Sequence, residues 1–454
     1  MNLTWQPGQL IELDITDLNT NGEGVGRYDG RVVFVADTVT GDRAIVRLTE
    51  NKRQYARGKL HHLKIPSAHR IRPRCIVADK CGGCQWQHID WEYQLQTKRQ
   101  QVIDALQRIG GFEDFTVEPI LHGDDALNYR NKSTYPLAVS ATGQVQAGYY
   151  RTHSHKVVNL NQCPVQDSRL HPLLKEVKLD IQQQGWSIYD EANNRGELRH
   201  LALRIGSRTG EMLLTLVTTS WDLTDIATQA NIWLQRYPQL AGVCLNLNRD
   251  RTNVIFGRDT RTIAGRSYLR EIFAGVELQI NSDTFFQVNT TVAELLLHKI
   301  IERLNLQGNE MAIDAYCGIG TFSLPLARKV KQVIGIEVSE VCIRQARHNA
   351  NIADISNINF YTGKVESCLA QLDVKPDLVL LDPPRRGCQM EVIDTLLNLK
   401  PSQIVYISCK PSTLARDLQL LCQSGIYQFS FIQPADFFPQ TTHVEVAVIL
   451  NYVG

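Results

Sequence analysis

Nowhere does this chain string together the roughly 18 apolar residues that a membrane-spanning helix requires. An excess of either charge is also missing. With 48 Lys and Arg against 47 Asp and Glu the net charge is +1, so no whole-molecule basic field draws in an anionic partner. Any nucleic-acid binding has to come from local patches. Met1-Asn2-Leu3-Thr4-Trp5 lacks the basic start and apolar core of a secretory leader, and a cytoplasmic protein with no membrane partner is expected. In that setting the 11 cysteines are not expected to form a disulfide framework. Internal repeats and low-complexity segments are lacking too.

What is present is a globular composition, 43% hydrophobic and 21% charged. At 454 residues the chain exceeds one ordinary core, and length suggests about three domains. Residues 1–64 read as short strands with Gly-rich turns. Strands are expected at Gln9–Ile15, Arg31–Val35 and Asp42–Leu48, with Asn21-Gly22-Glu23-Gly24-Val25-Gly26 as a turn; evenly spaced short strands suggest a small barrel. Lys52, Arg53, Arg57 and Lys59 surround Tyr55, a basic and aromatic mixture that suits RNA as well as a solvated face. Residues 65–280 hold a polar helix from Trp91 to Ile109, ended by Gly110-Gly111, and then mixed strand and loop. Basic and aromatic residues recur at Tyr129-Arg130-Asn131-Lys132 and Tyr149-Tyr150-Arg151. Residues 281–454 alternate strands with helices, beginning with an amphipathic helix over Glu294–Leu304. The expected strands are Met311–Tyr316, Val333–Glu337, Ile358–Tyr361, Asp377–Leu381, Ile404–Ile407, Phe429–Gln433 and Val444–Leu450. That rhythm indicates a doubly wound α/β sheet.

Four early cysteines stand apart from the scattered later ones. Cys75, Cys81 and Cys84 are spaced Cys-x5-Cys-x2-Cys, and Cys163, before Pro164, is the candidate fourth. Gly82 and Gly83 accept positive φ and let neighbouring thiolates turn toward one centre. Four thiolates suit either tetrahedral zinc or a four-iron cluster, and spacing does not choose between them.

The strand ending at Asp314 runs into Cys317-Gly318-Ile319-Gly320-Thr321 and a helix, as in nucleotide-binding βα units. The third glycine of the dinucleotide fingerprint is missing, which disfavours a nicotinamide oxidoreductase. Glu337 ends the next strand, where a carboxylate can bind ribose hydroxyls. Asp382 precedes Pro383-Pro384, which force an irregular loop. Taken alone, Asp382 could equally cap a turn. At the end of another strand, Ser408-Cys409-Lys410-Pro411 places a thiol just before a helix start. Most single cysteines of this kind are small buried hydrophobes. A helix N-terminus or nearby cation, however, favours a nucleophilic thiolate, and acids at neighbouring strand ends make Cys409 an active-site candidate.

Together these segments resemble the bacterial S-adenosylmethionine-dependent RNA 5-methyluridine methyltransferases, closest to those acting on 23S rRNA. The resemblance spans nearly the full chain. It rests on the four cysteines, Phe285-Phe286-Gln287-Val288-Asn289, Asp314-x-Tyr316-Cys317-Gly318-x-Gly320, Leu381-Asp382-Pro383-Pro384-Arg385, Ser408-Cys409-x-Pro411-x-Thr413-Leu414-Ala415-Arg416-Asp417 and Asp436-x-Phe438-Pro439-x-Thr441-x-His443-Val444-Glu445. It implies an OB-like TRAM barrel over 1–64, a central α+β domain with an iron–sulfur cluster over 65–280, and a Rossmann-like methyltransferase domain over 281–454, with the helix at 91–110 placed to pack on the last.

The resemblance also implies a [4Fe–4S] cluster at Cys75, Cys81, Cys84 and Cys163, with zinc the lesser alternative. Contacts to S-adenosylmethionine fall at Gln287, Tyr316, Thr321, Glu337 and Asp382. Lys364 occupies a position where many members carry an acid or amide; it cannot accept a hydrogen bond, so no cofactor contact is assigned to it. Carbon 5 of uracil is too weakly nucleophilic to take a methyl group directly. Attack by Cys409 on carbon 6 makes carbon 5 electron-rich, Asp382 orients the uracil edge, and Glu445 removes the carbon 5 proton. A monomer acting on a flipped uridine of 23S rRNA is expected. The alternatives are a tRNA T-loop enzyme and a catalytically silent RNA-binding iron–sulfur protein.

Overall fold

A computed structural model of the protein describes residues 5–454; Met1 to Thr4, on which the reading of the N-terminus and the start of the expected barrel domain fall, lie outside the described residues. Strands β1 (Leu10–Leu18), β2 (Gly24–Tyr28), β3 (Arg31–Ala36), β4 (Arg43–Asn51) and β5 (Tyr55–Ile65) close into a barrel in the order β1-β2-β3-β5-β4. Alternation sends Ile11, Leu13 and Ile15 of β1, Val33 and Val35 of β3, and Val46 and Leu48 of β4 into one small core. Two of these strands escape the alternation pattern. The Gly-rich β2 reads as turn, and β5 is mostly polar, yet both are needed to close the barrel and remove its open edges. Of the cations around Tyr55, Arg57 pairs with Glu23, and Lys52 lies 2.9 Å from Glu50. That stretch is therefore partly neutralised by the barrel itself.

Helix α1 (Trp91–Arg108) starts where the Asp90 side chain accepts from the Tyr93 amide at 3.2 Å. It leaves the central region and packs on the last domain. Val102, Ala105 and Leu106 join Leu414, Leu418 and Tyr427 in one core. The central strands β6 (Lys132–Val139), β7 (Val145–Tyr150), β8 (Val157–Asn159), β9 (Leu198–Ile205), β10 (Met212–Thr218), β11 (Leu240–Leu247) and β12 (Asp259–Gly265) form a sheet of order β12-β11-β10-β9-β6-β7-β8. Helices α2 (His171–Gln184) and α3 (Ile226–Arg236) share its core through Leu174, Val177, Ala230 and Trp233.

The hairpin β13 (Tyr268–Phe273) and β14 (Val276–Asn281) reaches the expected boundary at 280. Its apolar residues Leu269, Phe273, Val276 and Leu278 are buried in the core of the catalytic sheet, beside Leu296 and Ile300. By packing, the hairpin belongs with the last domain.

That domain comprises α4 (Thr290–Leu304), β15 (Met311–Ala315), α5 (Ser323–Ala327), β16 (Gln332–Glu337), α6 (Glu340–Ile352), β17 (Ile358–Thr362), α7 (Val365–Gln371), β18 (Leu378–Leu381), α8 (Met390–Leu399), β19 (Gln403–Ser408), α9 (Pro411–Cys422), β20 (Tyr427–Ala435) and β21 (Glu445–Tyr452). Helix α4 starts four residues before the expected Glu294 because the Asn289 side chain caps it, accepting from the Val292 amide. The sheet order is β17-β16-β15-β18-β19-β21-β20. Strands β15 to β19 are parallel, while β21 is antiparallel to both its neighbours. The chain winds outward from β15 to β17 and then returns to the other side through β18, so the crevice beyond β15 and β18 is the topological switch point where such sheets bind ligands. Among the described residues no helix is long and apolar enough to cross a membrane.

Candidate active site

A cavity of about 1180 Å³ opens at that switch point. Six of the seven residues expected to bind cofactor or act on substrate line it: Gln287, Tyr316, Glu337, Asp382, Cys409 and Glu445. Thr321 does not. It sits in the turn between Gly320 and α5. Asp314 is fully buried behind the wall, where its carboxylate accepts a hydrogen bond from the Ser323 hydroxyl and ties β15 to α5. Burial and the charge of Glu337 push Asp314 up to about 7.

The Gly-rich turn is bent sharply by three left-handed positions. Tyr316 has φ 76°, Gly318 φ 55° and Gly320 φ 85°. For an aromatic residue such a φ is strained. It is held by the Tyr316 and Cys317 amides, which both donate to the Ile336 carbonyl at 2.9 and 3.0 Å. Tyr316 in this conformation lines the cavity.

Glu445 and Cys409 meet through strand register. Because β21 runs antiparallel beside β19, its first residues lie at the edge where β19 ends; Ser408 pairs with Val446, so Cys409 and Glu445 are the next step along each strand. Glu445 is buried, 8% exposed. Burial, reinforced by the charge of Asp382, pushes it up to about 8. Asp382 lines the cavity; burial and Asp314 push it up to about 7. The Cys409 thiol departs from expectation. Burial and the charge of Glu445 raise it, and the opposing Arg385 guanidinium does not fully offset them.

A hydrogen-bonded clamp fixes the Asp382 loop against the helix after Cys409. The Asp417 carboxylate, 1% exposed, accepts from the Tyr406 hydroxyl at 2.6 Å and from the Cys388 amide at 2.9 Å. Arg416 donates to Asp417 at 2.8 Å and to the Arg386 carbonyl at 3.0 Å, and Thr413 donates to the Arg385 carbonyl at 3.2 Å. Gly387, at φ 80°, passes so close that a Cβ there would lie 2.5 Å from Asp417 Oδ2.

The wall carrying Phe438 and His443 is pinned from the central region. Lys98 of α1 and Asp436 form an ion pair of 2.6 Å with both side chains 0% exposed. Lys98 also donates to the Phe438 carbonyl at 3.0 Å, and the Trp91 indole donates to Asp436 at 3.1 Å.

Cys75, Cys81, Cys84 and Cys163 converge on one smaller cavity of about 200 Å³. Burial pushes Cys84 up to about 12 and Cys163 up to about 11. The surroundings thus favour neutral thiols unless a cationic centre shares the cavity. Among the described residues no three His, Cys, Asp or Glu side chains are grouped as ligands of a single metal ion. The cysteine loop touches the active-site wall directly. The Gln85 and Trp86 amides donate to the Gln440 carbonyl at 3.1 and 3.0 Å, and Thr441 lines the cysteine cavity.

Several wall residues escape sequence reasoning. Phe285 is 66% exposed and lines the cavity; it opens the family motif that contains Gln287, which gives it no role. Arg385, Phe438 and His443 lie within the family motifs but carry no role there, and Val338 and Lys364 line the wall near Glu337.

The family described as tRNA (Uracil-5-)-methyltransferase matches residues 255–453, and the TRAM domain family matches residues 4–61. An uncharacterized RNA methyltransferase of Nostoc sp. is 63% identical over 98% of this chain and 97% of its own length. The chain belongs to the TRAM-bearing RNA uracil-5-methyltransferases. An uncharacterized RNA methyltransferase of Bacillus cereus is 37% identical over 99% of this chain and 98% of its own. Among solved structures, the Pyrococcus abyssi tRNA (uracil-54, C5)-methyltransferase in complex with S-adenosyl-L-homocysteine superposes with a TM-score of 0.77 at 28% identity, covering 97% of this chain and all of that one. S-adenosylmethionine-dependent methylation of uracil carbon 5 in RNA is the activity of this family, and the barrel is its TRAM domain.

Proposed function

We propose that this methyltransferase modifies a uridine of 23S rRNA through a covalent adduct on Cys409. The observation that carries the mechanism is the register of β19 and β21, which sets a thiol and a protonatable carboxyl side by side at the edge of the cavity. The Gly-rich turn and Glu337 line the part of the cavity suited to S-adenosylmethionine, which supplies the methyl group as a sulfonium electrophile. Gln287, Tyr316, Thr321, Glu337 and Asp382 would hold it.

On the protein side, Cys409 gives up its proton to solvent and its sulfur bonds to carbon 6 of the uracil. Asp382, protonated near neutral pH, donates to the uracil edge and stabilises charge on the ring. Once carbon 5 carries the methyl group, ionised Glu445 takes the proton from that carbon. The carbon–sulfur electron pair returns to Cys409, and the product is released. A base pushed toward neutrality by burial is matched to this task.

The four-thiol cavity offers an all-sulfur donor set, and the family resemblance favours a [4Fe–4S] cluster over a single zinc ion. Cys75, Cys81, Cys84 and Cys163 would hold it. Its contribution is structural, since Gln85, Trp86 and Thr441 connect these cysteines to the wall that ends in Glu445. We assign the chain three domains, with boundaries near 64 and 280 and the β13–β14 hairpin packed on the third, and we take it as a cytoplasmic monomer.

The tRNA reading is favoured by one specific observation, the full-length likeness to an enzyme acting on uracil 54 of tRNA. Mapping 5-methyluridine in both RNAs of a deletion strain decides. Loss from 23S rRNA alone supports the proposal, loss from tRNA alone replaces it, and no loss from either favours a catalytically silent RNA-binding protein.

A further inference from the structure

Away from the active site, a cavity of about 830 Å³ opens in the central region between β9 and the β7–β8 hairpin. Tyr150 lines it, its ring stacked on His155 at 5.1 Å and 22°. Tyr189 lines it too, with the Arg199 guanidinium 4.7 Å from the ring centre.

A local irregularity builds the floor. Val217 of β10 pairs with His200 and Thr218 with Leu198, so Arg199 is an extra residue on β9. On a regular strand Arg199 and His200 would point to opposite faces. The bulge lets both line the cavity. Arg199 is 5% exposed, and its terminal nitrogens hold the carbonyls of Asn248, Asp250 and Thr252 at 2.9, 2.7 and 3.3 Å. Its Nε, and Nδ1 of His200, have no hydrogen-bond partner among the described residues. Buried polar atoms are rarely left unpaired, and these two belong to neighbouring residues that line one cavity. Burial and the charge of Arg199 push His200 down to about 4, so its ring is neutral and can donate or accept.

We propose that this cavity takes an unstacked nucleobase of the substrate RNA, other than the reacting uridine. The base's face lies against Tyr150 or Tyr189, and its edge meets His200 and the Nε–H of Arg199. The proposal rests on the RNA-methylating reading of the chain. Flat aromatic walls accept the face of any base, while one fixed N–H donor and one neutral imidazole read its edge. Glu191 in the lining disfavours a phosphate inside, so the base enters and the backbone remains at the rim.

The test uses the full-length protein with unmodified transcripts of 23S rRNA and, in parallel, tRNA. Ultraviolet crosslinking followed by peptide mass spectrometry should place a nucleotide adduct on the peptide carrying Tyr150 or Tyr189. In steady-state methylation, Tyr150→Ala and His200→Leu should each raise KM for RNA about tenfold, with kcat within about twofold of wild type. Tyr150→Phe, which keeps the aromatic face, should restore the wild-type KM and shows that a change in Tyr150→Ala is not a folding defect. No adduct on either peptide together with an unchanged KM in Tyr150→Ala and His200→Leu overturns the proposal and leaves the methylation reading intact. An adduct at Tyr150 from a protein that methylates neither transcript would support the cavity and overturn the catalytic reading instead.

Discussion

Replacing Glu445 by Gln probes the chemistry most directly, because the structure assigns this carboxyl both a place and a proton. Buried and beside Asp382, it is pushed up to about 8, so only about one molecule in ten carries the ionised base at pH 7. If the ionised form removes the carbon 5 proton, the Glu445 contribution to turnover climbs close to tenfold per unit below pH 8, while ionisation of Asp382, pushed up to about 7, removes its donor and bends the profile over above neutrality. The raised Cys409 thiol acts in the same direction as Glu445, since its thiolate also forms as pH rises. Arg385 opposes both shifts, and Arg385→Gln should move the rise to higher pH.

Gln at 445 keeps the shape but removes the base, which should cost about 10²–10⁴-fold in turnover while leaving Cys409 free to attack and accept the methylated ring. The enzyme should then stall as a covalent RNA–protein species, visible as a band of retarded mobility on a denaturing gel and absent in Cys409→Ala/Glu445→Gln. The mechanism is refuted if Glu445→Gln methylates at the wild-type rate, or if it is inactive yet forms no adduct with a bound RNA and S-adenosylmethionine.

Three further expectations come from groups around the site. Asp417→Ala removes the acceptor shared by Tyr406, Cys388 and Arg416; a loss of about 3 kcal/mol in denaturant unfolding is expected, with kcat falling as the Asp382 loop loosens, and unchanged stability would show that the clamp is idle. Lys98→Met strands a buried Asp436 and should cost about 3–5 kcal/mol, most of which Lys98→Met/Asp436→Leu should recover; calorimetry of the two variants separates a strained pair from a packing defect. Protein purified without air should be brown, and Cys84→Ser should bleach it and lower its thermal midpoint, whereas a colourless wild-type preparation with stoichiometric zinc would overturn the cluster assignment.

Much of the active site was readable because its parts lie at strand ends, and strand ends are marked in sequence by local signals. A glycine turn marked Tyr316, and a strand leading to a proline at the first helical position marked Cys409. The pair of prolines after Asp382 did the same for that loop. Glu445 had no such signal of its own. As the first residue of an apolar strand it looks like any carboxylate at an element boundary, and only the family motif pointed to it. The β2 and β5 strands were missed because a closed barrel accepts strands whose own alternation is weak.

By itself, the sequence determined the alternation of strands and helices and the four-cysteine grouping, since these depend on residue type and short spacing. The tertiary structure decided what distance along the chain conceals. Antiparallel insertion of β21 brought Glu445 to Cys409. The α1 helix crossed from the central region to pin Asp436, and the hairpin at 268–281 joined the catalytic core. It also set the protonation of the site. Burial and neighbouring charge raised Glu445, Asp382 and Cys409 together, because the cost of a charge depends on what surrounds it in space and not on what adjoins it in sequence.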